Sequence, residues 1–353
     1  MKTKTSFEKK VAVTGGAGFI GSNLLRYMVP RYRRYLFVNI DCLTYAGNPA
    51  NLRDIEKDEN YIFEKINITD FDRLHECFEK YEIDALIHLA AESHVDRSII
   101  GPGEFVETNI KGTFNLLETA RASGGDFRFH HVSTDEVFGS VETGRFSEVS
   151  RYDPSSPYAA SKASADHLVA AYYKTYLLDA VTSNCSNNFG PYQFPEKLIP
   201  LTIRNALENK PIPVYGDGDY IRDWIFVDDH CRALDLIFHR GRAGETYNVG
   251  GGNELSNVDL IRRVCRIVDK IKGGGPREEL IVFVDDRPGH DRRYALDSSK
   301  IKAELGWEPE GSFDESLERT VRWYLDNQKW LDDCISGEYM KYYDMNYSGR
   351  RKI

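Results

Sequence analysis

Residues 10–29 read "KVAVTGGAGFIGSNLLRYMV", and the fold turns on how they are understood. A short β-rich run ends in glycines, and apolar residues then recur at helical spacing. Gly15 and Gly16 permit a tight strand-to-helix turn, Gly18 lets the backbone approach a pyrophosphate, and Gly21 lets the helix sit close to the sheet. The helix N-terminus, opening at Phe19 and Ile20, supplies amide donors to an anion. Such a glycine pattern is weak by itself. Here Asp41 ends the next strand, twenty residues after Gly21, where a carboxylate takes adenosine ribose hydroxyls. Cys42 follows it rather than the arginine that a 2'-phosphate requires, so the sequence favours NAD over NADP.

Outward from this loop, strand-like and helix-like segments alternate. "YLFVNID", "ALIHLAA" and "FRFHHVST" read as strands, with "FDRLHECFEKY" and "NIKGTFNLLETARAS" as amphipathic helices between them. This rhythm predicts an α/β chain with a Rossmann-type, doubly wound parallel sheet. Beyond "VTSNCSNNFGP" prolines crowd together and turn-rich stretches follow. The expected organisation is a dinucleotide-binding domain over residues 1–185, to which some later segments return. A smaller, irregular α/β substrate lobe follows over 186–330, then a tail over 331–353.

At 353 residues, 41% hydrophobic and 29% charged, the chain has the composition of a globular protein. A net charge of -9 leaves no global basic field for nucleic acid or an anionic membrane, so any anionic ligand must be held by local groups. The cysteines (Cys42, Cys77, Cys185, Cys231, Cys265, Cys334) form no C-x-x-C pair and read as reduced thiols, without a metal site. The start, "MKTKTSFEKK", lacks the apolar core of a signal peptide, and no run of about 18 apolar residues occurs. A soluble, cytoplasmic protein is expected.

Two motifs carry chemistry. In "SPYAASK", Ser156 is an N-cap and Pro157 a first-turn proline, which puts Tyr158 and Lys162 one turn apart on a single helix face. A tyrosine near pKa 10 is a poor base; a neighbouring cation and a nicotinamide charge favour its phenolate. In "HHVSTDEVFGSV", residues 130–141, Asp135 and Glu136 stand side by side directly after a buried strand. Paired carboxylates in differing environments suit combined acid and base work.

The glycine loop with Tyr158-x-x-x-Lys162 resembles the extended short-chain dehydrogenase/reductase superfamily. Within it, "DCLTYAGN", "LAAESHVDRSI", "STDEVFG", "SPYAASKASADH", "CSNNFGPYQFPEKLIP", "YGDGDYIRDWIFVDDH" and "DRPGHDRRYALD" resemble the dTDP-glucose 4,6-dehydratases, across roughly residues 11–297. The resemblance implies a hydro-lyase that makes dTDP-4-keto-6-deoxyglucose. Tyr158, with Lys162, takes the 4-hydroxyl proton while hydride passes to NAD. Glu136 removes the proton at C5, which the 4-ketone has acidified, and Asp135 protonates the departing C6 hydroxyl. Water leaves, the hydride then returns to C6, C5 is reprotonated, and Thr134 hydrogen-bonds the C4 carbonyl.

Further positions carry over from the resemblance. For the cofactor these are Gly15, Gly18, Phe19, Ile20, Gly21, Asp41, Cys42, Leu43, Thr44, Asn67, Ile68, Leu89, Ala90, Ala91, Ser93, Thr108 and Asn188, with Tyr158 and Lys162. For the nucleotide sugar they are Ser93, Thr134, Asn187, Lys197, Leu198, Pro213, Tyr215, Arg222, Asn257, Arg287 and His290. Two guanidinium groups and an ammonium suit a diphosphate. Asn67 stands where the family has aspartate, its carbonyl still able to accept from adenine though the charge is lost, and Phe138, Phe189 and Phe226 stand where tyrosine is common; packing is expected to absorb the phenylalanines. His94 and Asp96 form no metal set. A homodimer is expected by analogy, through the helices that follow the fourth and fifth strands. Three readings stay open: a 4,6-dehydratase of another nucleotide hexose such as UDP-glucose, a nucleotide-sugar 4-epimerase, and a non-catalytic NAD sensor. The carboxylate pair argues against the epimerase, and the intact Tyr158 and Lys162 argue against the sensor.

Overall fold

The computed structural model describes residues 7–335. Of the anticipated tail, residues 336–353 lie outside the described part, while 331–334 complete a helix in which Leu331 is buried.

The first half alternates as the periodicity requires: β1 (Lys9–Thr14), α1 (Phe19–Arg31), β2 (Tyr35–Ile40), β3 (Tyr61–Glu64), α2 (Phe71–Tyr81), β4 (Ala85–His88), α3 (Val95–Ile100), α4 (Pro102–Phe105), α5 (Thr113–Ser123), β5 (Arg128–Thr134), α6 (Pro157–Tyr176) and β6 (Asp179–Cys185). Then come β7 (Asn187–Phe189), α7 (Leu198–Leu207), β8 (Ile212–Tyr215), β9 (Ile221–Phe226), α8 (Val227–Arg240), β10 (Thr246–Val249), β11 (Glu254–Ser256), α9 (Asn257–Lys272), β12 (Ile281–Val284), α10 (Ser299–Leu305), α11 (Phe313–Asp326) and α12 (Gln328–Cys334).

Seven parallel strands form the large sheet in the order β10-β6-β5-β4-β1-β2-β3. Buried on both faces, its strands are continuous apolar or small-residue runs rather than alternating ones. Leu24, Leu25 and Met28 of α1 pack on one face, with helices α7, α8 and α9 around the same core. Leu74, Phe78, Leu116, Leu117 and Val169, from α2, α5 and α6, cover the other. This is the doubly wound α/β fold. The strand order reverses between β1 and β4, and ligands of such sheets bind beyond the carboxyl ends of the strands at that switch point. β10 lies beyond residue 186 in the chain and still pairs with β6, from Thr246 opposite Thr182 to Val249 opposite Cys185. A three-stranded sheet (β11-β9-β7) and a parallel pair (β12-β8) make up the smaller, less regular region. Among the described residues, no helix is long and apolar enough to cross a membrane.

Candidate active site

The loop between β1 and α1 explains its glycines. Gly15 has φ +71°, and a Cβ there would lie 2.7 Å from the Ala90 nitrogen; one on Gly21 would lie 2.2 Å from the Gly15 carbonyl oxygen. No larger residue lets this turn pass so close to β4. Gly18 is the N-cap of α1, and a Cβ on it would meet only the Gly15 oxygen, at 3.3 Å. Asp41 is buried and braces the loop: one carboxylate oxygen accepts from the Ala17 amide at 3.0 Å, the other from the Leu43 amide at 2.8 Å. Burial raises its pKa and those two bonds oppose the rise.

Below these groups runs one cleft of about 330 Å³. Gly15, Gly18, Phe19, Ile20, Gly21, Asp41, Cys42, Thr44, Asn67, Ile68, Leu89, Ala90, Ala91, Ser93, Thr108, Asn188, Tyr158 and Lys162 line it. Leu43 does not. It adopts a left-handed backbone (φ 58°) and packs toward the core, so only its amide faces Asp41. Asn67 accepts from the Thr69 amide at 3.0 Å, which uses one lone pair of the carbonyl expected to meet adenine. The Asn188 side chain is engaged at both ends, by the Ser186 carbonyl at 3.0 Å and by His230 Nδ1 at 2.8 Å. A cleft with a bare helix N-terminus at one end and a buried carboxylate beside it fits NAD.

α6 begins as its sequence requires: Ser156 Oγ accepts from the Ala159 amide at 3.1 Å, with Pro157 in the first turn. Tyr158 and Lys162 face the cleft, and Lys162 Nζ donates to the Val132 carbonyl of β5 at 2.9 Å. Burial, then Glu136 and Cys185, hold Tyr158 well above the ordinary phenol value, with a Thr134 hydrogen bond acting against them. Burial likewise lowers Lys162, with Asp166 opposing. The protein's own groups therefore keep Tyr158 a neutral phenol, and a phenolate needs the further positive charge of the nicotinamide.

β5 ends by delivering Thr134, Asp135 and Glu136 into the same cleft. Asp135 is 2% exposed; Oδ1 accepts from Thr134 Oγ1 at 3.3 Å, and Oδ2 has no hydrogen-bond partner. Burial, Glu136 and Asp223 push its pKa well above the usual carboxylate range. Glu136 is half-buried. Burial raises it too, but Arg287, Arg222 and Lys197 all pull it back. Adjacent in sequence, the two acids differ in surroundings: burial raises both, but at Asp135 neighbouring carboxylates add to the rise, whereas at Glu136 three cations oppose it.

Asn187 and Lys197 line the cleft with Ser93, and Lys197 Nζ donates to the Ser93 carbonyl at 3.0 Å. Asn187 Oδ1 is buried without a hydrogen-bond partner. The remaining candidates lie outside the cleft wall. Leu198 opens α7, Pro213 and Tyr215 lie on β8, Arg222 on β9, Asn257 starts α9, and Arg287 and His290 follow β12. Several of these converge: Arg287 pairs with Asp96 at 2.9 Å, and Tyr215 donates to the same carboxylate at 2.9 Å. Arg222 lies 4.2 Å over the Tyr294 ring, while His290 stacks on Tyr220 at 3.7 Å. Burial drops His290 to about 4, so it is neutral. Arg287 Nε is buried without a hydrogen-bond partner, a donor suited to an anion. Pro213 pairs in register with Val282 and Asn257 donates its amide to the Tyr220 carbonyl; neither side chain is brought to the cleft wall. Asp96 is thus an ion-pair partner, and no metal-ligating group of three occurs among the described residues. Phe138, Phe189 and Phe226 are buried in ring contacts, with Phe189 and Phe226 centred 5.6 Å apart.

Sequence reasoning missed several supporting residues. Asn109 exchanges hydrogen bonds with the Glu92 backbone and donates to Ser161 Oγ at 2.8 Å, tying the loop after β4 to α6. Asp166 accepts from Ser133 at 3.0 Å and Tyr152 at 2.9 Å beneath Lys162. For Asp166 a faint signal existed, an acid one turn after Lys162; Asn109 had none.

A family model described as GDP-mannose 4,6 dehydratase matches residues 12–320. The chain is 52% identical over 362 aligned positions to the dTDP-glucose 4,6-dehydratase of Salmonella typhimurium, covering 97% of this chain and 100% of that protein. Among solved structures, the dTDP-glucose 4,6-dehydratase of Streptomyces venezuelae with NAD bound superimposes with a TM-score of 0.87 at 46% identity, over 92% of this chain and 99% of that one. The UDP-glucose 4-epimerase of Thermotoga maritima reaches 0.82 at 29% identity, over 90% and 99%. The fold alone thus fails to separate the two chemistries, whereas the sequence likeness favours one. The chain belongs to the dTDP-glucose 4,6-dehydratase family of the extended short-chain dehydrogenases/reductases.

Proposed function

We propose that this chain is an NAD-dependent hydro-lyase converting dTDP-glucose to dTDP-4-keto-6-deoxyglucose. The observation that carries the reading is the Asp135–Glu136 pair, set in the cleft that also holds Tyr158 and Lys162. An epimerase needs only the C4 step and has no use for this second acid–base pair. NAD supplies a hydride acceptor that later acts as donor. Gly15, Gly18 and Gly21 receive its pyrophosphate, Asp41 its adenosine ribose, and Tyr158 and Lys162 its nicotinamide end. Tyr158 accepts the 4-hydroxyl proton, and Lys162, anchored on Val132, stabilises the phenolate. Thr134 donates to the developing C4 carbonyl. Glu136, whose burial raises its pKa while Arg287, Arg222 and Lys197 oppose the rise, takes the C5 proton. Asp135, its pKa raised by burial and by Glu136 and Asp223, donates to the departing C6 hydroxyl. Arg222, Arg287 and Lys197 offer charge to the diphosphate, which is how a chain of net charge -9 binds an anion.

The test is incubation of purified protein with dTDP-glucose and no added cofactor, followed by assay for the 4-keto-6-deoxy sugar. Product supports the dehydratase with retained NAD. Its absence even with added NAD, together with turnover of UDP-glucose or with C4 epimerisation, would replace this reading.

The homodimer belongs to the same proposal. Val106 and Phe114, at and before α5, are 51% and 44% exposed, and Tyr176 and Leu177, at the end of α6, are 51% and 82% exposed. Such large apolar groups on two neighbouring helices favour cover by a second copy. A monomeric mass by light scattering would exclude it. The six cysteines are all free, which fits a reducing cytoplasm.

A further inference from the structure

Three segments around the cleft meet at one carboxylate. Tyr45, in the loop after β2, donates its hydroxyl to Glu196 Oε1 at 3.1 Å. Arg97, on α3 after β4, donates Nε to Glu196 Oε2 at 3.2 Å. Its guanidinium carbon also sits 3.8 Å over the Tyr45 ring, and Phe194 meets that ring edge-on at 5.5 Å. Glu196 itself comes from the segment between β7 and α7, in the smaller region, and its side chain is only 2% exposed. Thr44 and Ala46 on one wall, and Phe194 and Glu196 on the other, line the cleft. The contacts therefore cross from the adenosine-side loop to the opposite wall.

A carboxylate so enclosed is stable only while its partners stay in place, because losing either leaves a buried acceptor unmet. The ring-stacked guanidinium adds to this. Opening the cleft means separating Tyr45 and Arg97 from Glu196 together. The chemistry gives a reason for such closure: hydride taken from C4 must be returned by the same nucleotide, so the cofactor has to outstay each turnover.

We propose that Tyr45, Arg97 and Glu196 form a clasp that closes the cleft over the dinucleotide and sets how slowly it leaves, with Glu196 as the positioning residue. The inference rests on the cofactor and not on the dehydration step, so it stands equally if the sugar chemistry is reassigned.

The experiment reads cofactor release rather than turnover. Full-length protein is loaded with radiolabelled NAD, cleared of free label, and chased with excess unlabelled NAD; retained label is followed by rapid gel filtration. Thermal melts are recorded in parallel. Release about tenfold faster in Glu196→Gln, and several-fold faster in Tyr45→Phe and Arg97→Met, is expected. If Glu196→Gln does not fold, Tyr45→Phe decides, since it removes a single hydroxyl and keeps the ring. Release within twofold of wild type in Tyr45→Phe and Arg97→Met overturns the clasp, as does a lowered melting temperature without faster release. Wild-type protein that holds neither label nor endogenous NAD, the latter assayed in the denatured supernatant, overturns the cofactor assignment and the clasp with it, whereas a clasp that behaves as expected beside absent dehydratase activity overturns only the sugar chemistry.

Discussion

Lys162 hangs its ammonium on the Val132 carbonyl, 2.9 Å away, and so ties the second turn of α6 to the C-terminal half of β5. His131 and Ser133, on either side of Val132, both face Asp166: His131 Nε2 lies 3.1 Å from one carboxylate oxygen, and Ser133 donates to the other at 3.0 Å. The bond thus locks the helix that carries Tyr158 to the strand that carries Thr134, Asp135 and Glu136. One rigid unit presents every proton-transfer group of the proposed reaction.

Tyr158→Phe removes the group that accepts the first proton. Turnover of dTDP-glucose is expected to fall about 10²–10⁴-fold, with NAD still bound because the glycine loop is untouched. Reduction of bound cofactor, followed at 340 nm after mixing with substrate, should slow by the same factor as the overall rate. Near-normal turnover would take Tyr158 out of the chemistry.

Glu136→Gln and Asp135→Asn should separate the two halves of the elimination. With Glu136→Gln, C4 oxidation proceeds and reduced cofactor accumulates, but solvent deuterium does not enter C5. With Asp135→Asn, C5 exchange continues while 4-keto-6-deoxy product is lost, again by about 10²-fold or more. If exchange at C5 instead vanishes in Asp135→Asn and survives in Glu136→Gln, the roles of the two acids are reversed.

Gly21→Ala tests the turn rather than the chemistry. The added methyl would lie 2.2 Å from the Gly15 carbonyl oxygen, a contact with backbone that only a shift of loop against helix relieves. A loss of about 1–3 kcal/mol in stability is expected, with NAD affinity lowered further because the helix N-terminus moves. An unchanged melting temperature and full NAD content would mean that the loop has slack it does not display.

What could be read in advance was local. The glycine loop, the Ser156-Pro157 helix start and the acid pair after β5 are encoded within a few residues, so spacing alone placed them. Contacts between distant segments could not be read this way. Tyr45 meets Glu196 across 151 positions, and Arg97 meets it across 99, with no periodicity to announce either. A return of later segments to the first domain was anticipated, but not that β10 makes it, since four residues pairing with β6 from far along the chain carry no local mark. The burial of Tyr158 was not legible for another reason. Sequence placed the cation one turn away but not the depth of burial, and burial is the larger influence on that phenol.

Histidine 230 provides a stability test whose sign is fixed by its surroundings. His230 is fully buried on α8, its Nδ1 2.8 Å from Asn188 Oδ1, and burial lowers its pKa to about 3. Between that value and the ordinary 6.5 the unfolded chain takes up a proton that the folded chain refuses. This residue's contribution to stability is therefore intact at pH 7 and declines as pH falls from about 6.5 toward 3. One unit below the ordinary value the loss approaches about 1.4 kcal/mol. Urea unfolding of wild type and His230→Gln at pH 7.0 and at pH 5.5 isolates it. Repacking and the altered bond to Asn188 shift the variant by a similar amount at both pH values. The gap between the two proteins should move in favour of the variant by roughly 1 kcal/mol on acidification. A gap that stays constant would mean that His230 accepts its proton in the folded state, and that the buried Asn188–His230 contact is not held by a neutral imidazole.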